Sequence, residues 1–318
     1  MQNDTRRPRG PTLRHVTLRQ LRVFEAVARN LSYSRAAQEL SLTQPAVSMQ
    51  VKALAGQTGL ALFDHIGRRI ALTDAGHELY RHAHEVARQL QAAEEALAAL
   101  KGLSGGKLDI AVVSTAKYFA PQLLARFLRD HPGVQLKLSV SNRETVMRQL
   151  AENETDLAIT GRPPERLETV AEPFAPHPHV IIAPPDHRLA GKRGIALTRL
   201  AAETFVVREP GSGTRGLLER LFAENQVPLN MSLEMASNET IKQAVMAGMG
   251  ISLLSLHTIG LELETGRLAV LAVRGTPIER HWHVAHLQHK HLSPVARAFK
   301  GYLLAEGGRF LARFARLR

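Results

Sequence analysis

Residues 34–54 read Ser-Arg-Ala-Ala-Gln-Glu-Leu-Ser-Leu-Thr-Gln-Pro-Ala-Val-Ser-Met-Gln-Val-Lys-Ala-Leu, a pattern that predicts two short helices joined by a tight turn. Ser34 and Thr43 stand where a hydroxyl can accept a hydrogen bond from the first turn of each helix. Pro45 is tolerated because the first turn of a helix makes no internal use of its N–H groups. The sequence therefore predicts a helix-turn-helix near the start of the chain.

The second of these helices has two different faces. Val47, Val51 and Leu54 follow one another at intervals of four and three residues, which predicts a buried face. The opposite face carries Gln44, Pro45, Ser48, Met49 and Lys52. A helix that enters the major groove of DNA uses such side chains in its first turns to contact base edges. An ordinary helical hairpin in a small core would show much of the same pattern.

The segments on either side carry further motifs. They are Leu-Arg-Gln-Leu-Arg-Val-Phe-Glu-Ala-Val-Ala at residues 18–28, Leu-Phe at 62–63 and Leu-Thr-Asp-Ala-Gly at 72–76. In this order and spacing they resemble the DNA-binding domain of LysR-type transcriptional regulators. The resemblance implies a winged helix-turn-helix over residues 17–73. The run Ala-Gly-Gln-Thr-Gly at 55–59 departs from the family pattern, and its first glycine weakens a helix interior by up to ~1 kcal/mol.

The residues expected to contact DNA lie on the second helix and on a wing. Residues 63–72 alternate loosely around Gly67-Arg68-Arg69 and predict two strands with two arginines near their turn. Those arginines suit phosphate or minor-groove contact, although a solvated basic turn would have the same composition. We expect Gln44, Pro45, Ser48 and Met49, with Thr43 beside them, to approach bases, and Ser34, Arg35, Lys52, Arg68 and Arg69 to hold phosphates.

Composition limits the class of protein. The chain has 318 residues, enough for two domains and a linker, and it has no cysteine, which excludes disulfides and thiolate chemistry. No apolar run is long enough for a membrane span, and the polar, basic start at residues 1–11 does not form a signal peptide, so we expect a cytoplasmic protein. Residues 1–72 hold 11 Lys and Arg against 4 Asp and Glu, a balance that suits a phosphate backbone as partner.

A heptad pattern runs through residues 73–101. Its apolar positions are spaced by alternating intervals of four and three residues, and they are Leu79, Ala83, Val86, Leu90, Ala93, Leu97 and Leu100. A helix cannot bury such a seam by itself, so we expect it to pair with its twin in a dimer. The alternative is a long helix that lies on its own domain. In the LysR family this segment, residues 74–101 here, is the linker helix that dimerises the DNA-binding domains.

After a glycine-rich hinge at residues 102–106, strands and helices alternate. The patterns predict strands at 107–113, 134–140, 156–159, 179–183, 205–207, 232–235, 251–254, 269–273 and 282–286, and helices at 118–130, 144–152, 214–225, 240–247 and 294–304. This alternation predicts parallel sheets covered on both faces. The predicted fold class is α/β, with a winged helix-turn-helix, a long linker helix and, by resemblance, a two-lobed periplasmic-binding-protein-like effector domain over residues 107–306.

The loops that follow the predicted strands suggest a ligand site. Ligands of open parallel sheets bind at the carboxyl ends of the strands, where helix N-termini offer N–H donors. We expect an effector to contact Ser114, Thr115, Lys117, Asn142, Arg143, Gly161, Arg162, Arg208, Gly211, Ser212, Gly213, Thr214, Asn238, Glu239 and Thr240. Their hydroxyl, amide and guanidinium groups suit a phosphate or carboxylate. The alternative is that Ser114, Asn142, Thr214 and Asn238 only cap helices.

Other chemistries receive little support. The run Gly-Ser-Gly-Thr-Arg-Gly at 211–216 matches a dinucleotide fingerprint, but the preceding strand is too short, and an anion-binding loop fits better. Five histidines between 281 and 291 suggest a metal, yet no carboxylate lies among them. A nicotinamide-dependent enzyme that uses the Gly211 loop lacks an evident acid–base pair, and a plain solute receptor does not need a helix-turn-helix. The basic tail at 308–318 suits a helix extension, a DNA or subunit contact, or a frayed end.

Segments in the second half narrow the resemblance. Residues 114–121, 157–164, 171–178, 207–215 and 237–248 resemble the CbbR-type regulators of the Calvin-cycle RuBisCO operon. This resemblance implies an activator tuned by a phosphorylated metabolite or NADPH, with no other cofactor, that acts with RNA polymerase. As a homodimer or a tetramer of two dimers, it would bind double-stranded DNA at an interrupted palindrome, and it would need no membrane.

Overall fold

Three helices and a two-stranded wing form the first unit of the chain. The computed structural model describes residues 13–67, 69–100, 105–163 and 167–313, and it divides into two units at residues 94 and 95. The first unit contains α1 (Leu18–Asn30), α2 (Tyr33–Glu39), α3 (Gln44–Thr58), β1 (Phe63–Ile66), β2 (Arg69–Leu72) and the start of α4 (Asp74–Leu100). The predicted winged helix-turn-helix is therefore confirmed.

The helix boundaries follow from local capping. Thr17 and Gln20 form a complete capping box at the start of α1, and the Thr43 hydroxyl accepts from the N–H of Ala46 at the start of α3. The predicted cap at Ser34 is wrong, because Ser32 caps α2 and Ser34 lies inside its first turn. The backbone is left-handed at Leu31, with φ of 44°, where α1 ends. The next helix, α2, follows directly with Ser32 as its N-cap and Tyr33 as its first residue, before the predicted cap at Ser34.

The core of the first unit lies where α1, α3 and the wing meet. The predicted face of α3 is buried, since Val47, Val51 and Leu54 are each no more than 4% exposed. Phe24 of α1 packs against Phe63 of β1, with ring centroids 5.5 Å apart. Burial of these side chains stabilises a unit whose outer faces stay polar.

The wing is an antiparallel hairpin. Phe63 pairs with Leu72 and Ile66 pairs with Arg69, and the first strand leads into a turn at Gly67. Gly67 has φ of 62°, a conformation that glycine adopts without strain. Arg69 is exposed at the start of β2, whereas Arg68 lies outside the described residues.

The apolar seam of α4 divides into two parts. Leu79 and Ala83 are buried in the core of the first unit, so at these positions the helix packs on its own domain. Farther along, Val86, Leu90 and Leu97 are 37, 39 and 62% exposed. The expectation of a continuous intermolecular seam is therefore wrong for its first two positions, and the exposed part begins at Val86.

The second unit has two lobes built from alternating strands and helices. In chain order its elements are β3 (Gly106–Val113), α5 (Ala120–Asp130), β4 (Val134–Ser141), α6 (Arg143–Ala151), β5 (Leu157–Thr160), β6 (Thr169–Pro176), β7 (His179–Ala183), β8 (Thr204–Arg208), α7 (Gly213–Glu224), β9 (Asn230–Met235), α8 (Asn238–Met246), β10 (Ser252–Ser255), α9 (Gly260–Glu264), β11 (Ala269–Leu271), β12 (His281–Leu287) and α10 (Pro294–Leu311). Short 3₁₀ turns follow β3 and β10.

The first lobe contains a mixed sheet of order β4-β3-β5-β12-β6. β3 runs parallel to β4 and β5, whereas β12 returns from the second lobe and pairs antiparallel with β5 and β6. The predicted parallel pairing therefore holds for β3, β4 and β5, whereas the returning strand β12 and the edge strand β6 make the sheet mixed. β6 was not predicted because it contains prolines, which an edge strand tolerates since its outer N–H groups need no partner.

The second lobe has a sheet with two buried faces. β7 lies between β10 and β11, antiparallel to both, and β8 pairs in parallel with β9. Along β7, Ile181 faces one apolar cluster with Phe205, whereas Val180 and Ile182 face another with Val206. This alternation places a hydrophobic layer on each side of the sheet. Among the residues that the structure describes, no helix combines the length and apolar character that a membrane span requires.

Candidate functional site

A cavity of about 560 Å³ lies between the two lobes of the second unit. Its wall includes eleven of the expected effector contacts: Ser114, Thr115, Asn142, Arg143, Gly161, Arg162, Arg208, Gly211, Ser212, Gly213 and Thr214. Those of the first lobe follow β3, β4 and β5, whose carboxyl ends meet at one edge of the sheet, and the others lie at the carboxyl end of β8 in the second lobe. The cavity size falls within the range of about 300–1,000 Å³ that small-molecule sites occupy.

Arg208 is a buried, multiply bonded arginine in the cavity wall. Its side chain is almost fully buried and forms two hydrogen bonds with the Glu209 carboxylate, at 2.7 and 2.9 Å. It also donates to Asn238 Oδ1 and, across the gap between the lobes, to the Ser114 hydroxyl at 3.0 Å. Such a planar, multiply bonded guanidinium is held in one orientation. Arg208 therefore sets the position of the polar groups on both sides of the cavity.

Four further arginines share the cavity. Arg143 and Arg162 were expected, whereas Arg220 of α7 and Arg280, just before β12, were not. Burial lowers the pKa of Arg280 below its ordinary value, and the positive charges of Arg220, Arg162 and Arg143 lower it further. The guanidinium groups therefore repel one another across the cavity. A bound anion would relieve that repulsion.

One carboxylate, from Glu144 at the start of α6, also lines the cavity. The backbone N–H of Glu144 donates to the carbonyl of Gly211 on the other lobe, at 3.3 Å. Gly211 has φ of +80°, and a Cβ on it would lie 2.4 Å from Glu144 Oε2. The glycine therefore lets the two lobes approach closely at this point. The Gly211 loop leads into the N-terminus of α7, where N–H groups favour an anion.

Two buried histidines, His177 and His179, also line the cavity, and the sequence patterns do not predict them. The His177 ring stacks on the indole of Trp282, with centroids 3.6 Å apart, and His179 lies 4.2 Å from His177. Burial lowers the pKa of both rings, that of His179 to about 3. Both histidines are therefore neutral near pH 7, and the arginines carry the positive charge of the cavity. His177 lies beside Arg280 and Trp282 because β12 returns to this point from a distant part of the sequence.

Four expected effector contacts lie outside the cavity wall: Lys117, Asn238, Glu239 and Thr240. The Glu239 carboxylate accepts a hydrogen bond from Tyr118, pairs with Lys242 at 2.9 Å and lies 4.0 Å from Lys117. Asn238 is buried beneath Arg208, and Thr240 is exposed on α8. Glu239 thus forms a separate polar contact between the lobes with Tyr118 and Lys117, whereas Asn238 bonds to the cavity residue Arg208 within its own lobe.

The alternative interpretation was that Ser114, Asn142, Thr214 and Asn238 only cap helices. It holds for Asn142 alone among these four. Asn142 accepts from the N–H of Thr145 and caps α6. Ser237, not Asn238, caps α8, and Ser212 precedes α7 without a side-chain cap, which leaves Thr214 inside that helix. Ser114 lies in a 3₁₀ turn, where its hydroxyl accepts from Arg208. Ser114 and Asn238 therefore hold the Arg208 guanidinium in place and do not cap helices.

In the first unit, the outer face of α3 is open to solvent. Thr43, Gln44, Pro45, Ser48, Met49 and Lys52 are all exposed, as are Ser34, Arg35 and Arg69 nearby. Met49 is 66% exposed, which is unusual for a large apolar side chain. The first turn of α3 presents polar side chains in front of a rigid core. This geometry suits a helix that enters the major groove.

A DNA-binding helix-turn-helix and a separate two-lobed domain with an anion-suited cavity define a ligand-responsive transcriptional regulator. Comparison with known proteins agrees with this class. Residues 18–77 match the model of the bacterial regulatory helix-turn-helix protein, lysR family, and residues 101–308 match the LysR substrate binding domain. The chain belongs to the LysR family, which consists of transcriptional regulators and not of enzymes.

Two curated relatives are similar over nearly the whole chain. The regulator CfxR of Cupriavidus necator is 52% identical over 301 residues, 95% of each chain. The RuBisCO operon transcriptional regulator of Allochromatium vinosum is 51% identical over 299 residues, 94% of this chain and 99% of that one. The Synechocystis PCC6803 CcmR regulatory domain, solved in complex with 2-PG, is 44% identical, with a TM-score of 0.61, and covers 63% of this chain and 96% of its own. The resemblance to RuBisCO operon regulators is confirmed.

Proposed function

We propose that this protein regulates transcription of carbon-fixation genes, including those of RuBisCO, in response to a small phosphorylated carboxylate such as 2-phosphoglycolate. The observation that carries the proposal is the convergence of Arg143, Arg162, Arg208, Arg220 and Arg280 on one cavity of about 560 Å³, to which the described part of the chain contributes one carboxylate, that of Glu144. Related regulators of RuBisCO and carbon-fixation genes, one of them with 2-phosphoglycolate bound, support the assignment. Action on chromosomal DNA would place the protein in the cytoplasm.

The effector would act by changing the balance between two arrangements of the lobes. In the present arrangement, hydrogen bonds from Arg208 to Ser114 and from Glu144 to Gly211 join the lobes across the cavity. An anion that binds between the arginines of both lobes would strengthen this arrangement by neutralising their mutual repulsion. A ligand shifts such an equilibrium only as far as its affinities for the two states differ. The response would therefore depend on contacts made to both lobes together.

On the DNA side, residues 17–73 would bind the operator through α3 and the wing. The exposed seam of α4 from Val86 onward would pair with a second copy, and residues 74–101 would then act as the dimerising linker. Two copies related by a two-fold axis would contact an interrupted palindrome. Two dimers would form a tetramer that contacts RNA polymerase as an activator. Residues 107–306 would hold the effector.

The roles within the DNA-binding surface can be separated by two substitutions. Gln44→Ala removes an exposed amide that can pair with a base edge, and we expect the ratio of specific to non-specific affinity to fall about tenfold. Lys52→Ala removes a positive charge, and we expect binding to weaken on all sequences while the slope of log K against log salt decreases by about 1. Fluorescence anisotropy on operator and scrambled duplexes measures both. Equal losses of specificity in the two variants would contradict the assignment.

A further inference from the structure

Four of the five arginines in the cavity wall lie near one another, and we call them the arginine cluster: Arg143, Arg162, Arg220 and Arg280. Arg143 and Arg162 belong to the first lobe, Arg220 belongs to α7 of the second lobe, and Arg280 directly precedes β12. All four are partly exposed, so a ligand can reach them. The side chains of Arg220 and Arg280 form no hydrogen bond or ion pair with any residue that the structure describes. Their N–H donors are therefore available to a ligand.

Two glycines on α7 make room for the cluster. Gly213 and Gly216 lie three residues apart on the helix face that lines the cavity, and Arg220 follows on the same face. A Cβ on Gly213 would lie 3.3 Å from Arg143 Cδ, and a Cβ on Gly216 would lie 3.4 Å from Arg220 Nη1. The Arg220 guanidinium therefore folds back toward the start of α7, and Arg143 reaches the same face from the other lobe. The positive end of the helix dipole adds to the charge of the cluster at this point.

The part of the wall around Ser114 carries less net positive charge. Arg208 is paired there with the Glu209 carboxylate, and it donates to the Ser114 hydroxyl at 3.0 Å. Because Ser114 accepts this bond, its own O–H remains available to donate to a ligand. β5 separates β3, which ends just before Ser114, from β12, which begins just after Arg280. Two strand spacings place the main chains of Ser114 and Arg280 about 10 Å apart.

These two parts of the wall suit different anionic groups. A phosphoryl group carries a charge of about −1.5 to −2 at pH 7 and has three acceptor oxygens, so it can accept from several guanidinium groups at once. A carboxylate carries a single negative charge and two oxygens, for which a hydroxyl donor beside a neutralised arginine is sufficient. The reverse orientation would place the smaller negative charge against the larger positive charge. The charge distribution therefore favours one orientation of a phosphorylated carboxylate.

We propose that the arginine cluster binds the phosphoryl group of the effector and that Ser114 donates a hydrogen bond to its carboxylate. The inference rests on the proposed function, because it takes a phosphorylated carboxylate as the ligand. Arg220 and Arg280, which the sequence patterns do not predict, are then specificity-determining residues for the phosphoryl group. Because the cluster contains residues of both lobes, the phosphoryl group also joins the lobes.

The test measures the Kd of two ligands by calorimetric titration of the full-length protein. They are 2-phosphoglycolate and ethyl phosphate, which keeps the phosphoryl group but lacks the carboxylate. For Arg280→Gln we expect both Kd values to rise about tenfold or more, as for a lost hydrogen bond to an anion. For Ser114→Ala we expect only the Kd of 2-phosphoglycolate to rise, by about fivefold. The ratio of the two Kd values should therefore persist in Arg280→Gln and shrink in Ser114→Ala.

Arg274→Gln is the matched control. Arg274 lies on the same connection between β11 and β12 as Arg280, but it is exposed and does not line the cavity. The substitution removes the same charge, so we expect both Kd values to stay within about threefold of the wild type. Arg220→Gln, which changes the cluster from a different helix, should reproduce the pattern of Arg280→Gln. Without ligand, the melting temperatures of both cluster variants should not fall, because neither side chain has a hydrogen bond to a described residue to lose.

The outcomes separate this inference from the proposed function. If the wild type binds 2-phosphoglycolate but the two cluster variants leave the Kd of ethyl phosphate unchanged, the inference is wrong and the effector assignment stands. The same holds if the wild type does not bind ethyl phosphate, if Arg274→Gln loses as much affinity, or if both cluster variants melt at lower temperature. If the wild type binds ethyl phosphate but not 2-phosphoglycolate, the effector assignment is wrong, and weaker binding of ethyl phosphate by the cluster variants supports the phosphoryl site. Failure to bind either ligand overturns both.

Discussion

Replacement of Arg208 by methionine is expected to weaken the binding of 2-phosphoglycolate at least about 100-fold, or ~2.7 kcal/mol. The guanidinium is almost fully buried and forms hydrogen bonds with Glu209, Asn238 and the Ser114 hydroxyl. Methionine fills a similar volume but leaves the Glu209 carboxylate, which is largely buried beside the cavity, without its counter-charge. Loss of one partner of a buried ion pair costs about 3–5 kcal/mol. The remaining negative charge would also repel the effector.

The chain contains one tryptophan, Trp282, which makes this titration simple to follow. Its indole stacks on a residue of the cavity wall, so a change in its fluorescence reports effector binding. Arg188→Met serves as the control, because Arg188 pairs with Glu203 in the same lobe, is half-exposed and does not line the cavity. We expect the control to bind with wild-type affinity. An Arg208→Met variant that binds within about threefold of the wild type would show that the cavity is not organised around this guanidinium.

Substitution of alanine for Gly76 is expected to destabilise the DNA-binding unit by about 3 kcal/mol. Gly76 is buried in the first turns of α4, and a Cβ on it would lie 2.1 Å from the carbonyl oxygen of Leu62. At this junction the Thr73 hydroxyl donates to the carbonyl of Ala61 and accepts from the N–H of Gly76. The methyl group would push α4 away from the segment that leads into the wing, and these hydrogen bonds would break.

The matched control is Gly56→Ala in α3 of the same unit. Apart from the backbone of its own helix, nothing lies within 4 Å of the position that its Cβ would take, so the alanine meets no obstacle. Alanine in a helix interior is more stable than glycine by about 1 kcal/mol, so we expect this variant to gain stability. Hydrogen exchange of the α3 amides in the full-length protein measures both effects. Faster exchange in both variants, or in neither, would contradict the role given to the Gly76 contact.

Much of the architecture could be predicted because it depends on local signals. The buried face of α3, the cap at Thr43 and the alternation of strands and helices are all encoded within a few residues of one another. The eleven cavity residues could be predicted for a related reason, since ligands of α/β sheets bind at the carboxyl ends of parallel strands, and these residues lie at those ends of β3, β4 and β5 in one lobe and of β8 in the other. The resemblance to LysR-type regulators then indicated how the helix-turn-helix, the linker helix and the two lobes belong together.

The features that escaped prediction depend on contacts between distant segments. Arg280 reaches the cavity, and Trp282 packs behind His177, because β12 inserts antiparallel between β5 and β6, an arrangement that the pattern of strands does not reveal. His177 enters the wall through the same pairing, at the end of a proline-containing edge strand that carries no clear periodicity. Leu79 and Ala83 fit a heptad pattern, but they pack within their own unit because the core beside α3 lies within reach. The positions of these residues therefore depend on tertiary packing, which local sequence patterns do not show.

The most direct test of the central claim is fluorescence anisotropy of the full-length protein on DNA from upstream of the carbon-fixation operon nearest to its gene. The titration is run at moderate salt against scrambled DNA of the same length, with and without 2-phosphoglycolate and, for comparison, NADPH. We predict preferential binding to the operator and a change in affinity or in the complex formed when 2-phosphoglycolate is present. Equal affinity for both duplexes, or operator binding that 2-phosphoglycolate leaves unchanged, would contradict the account.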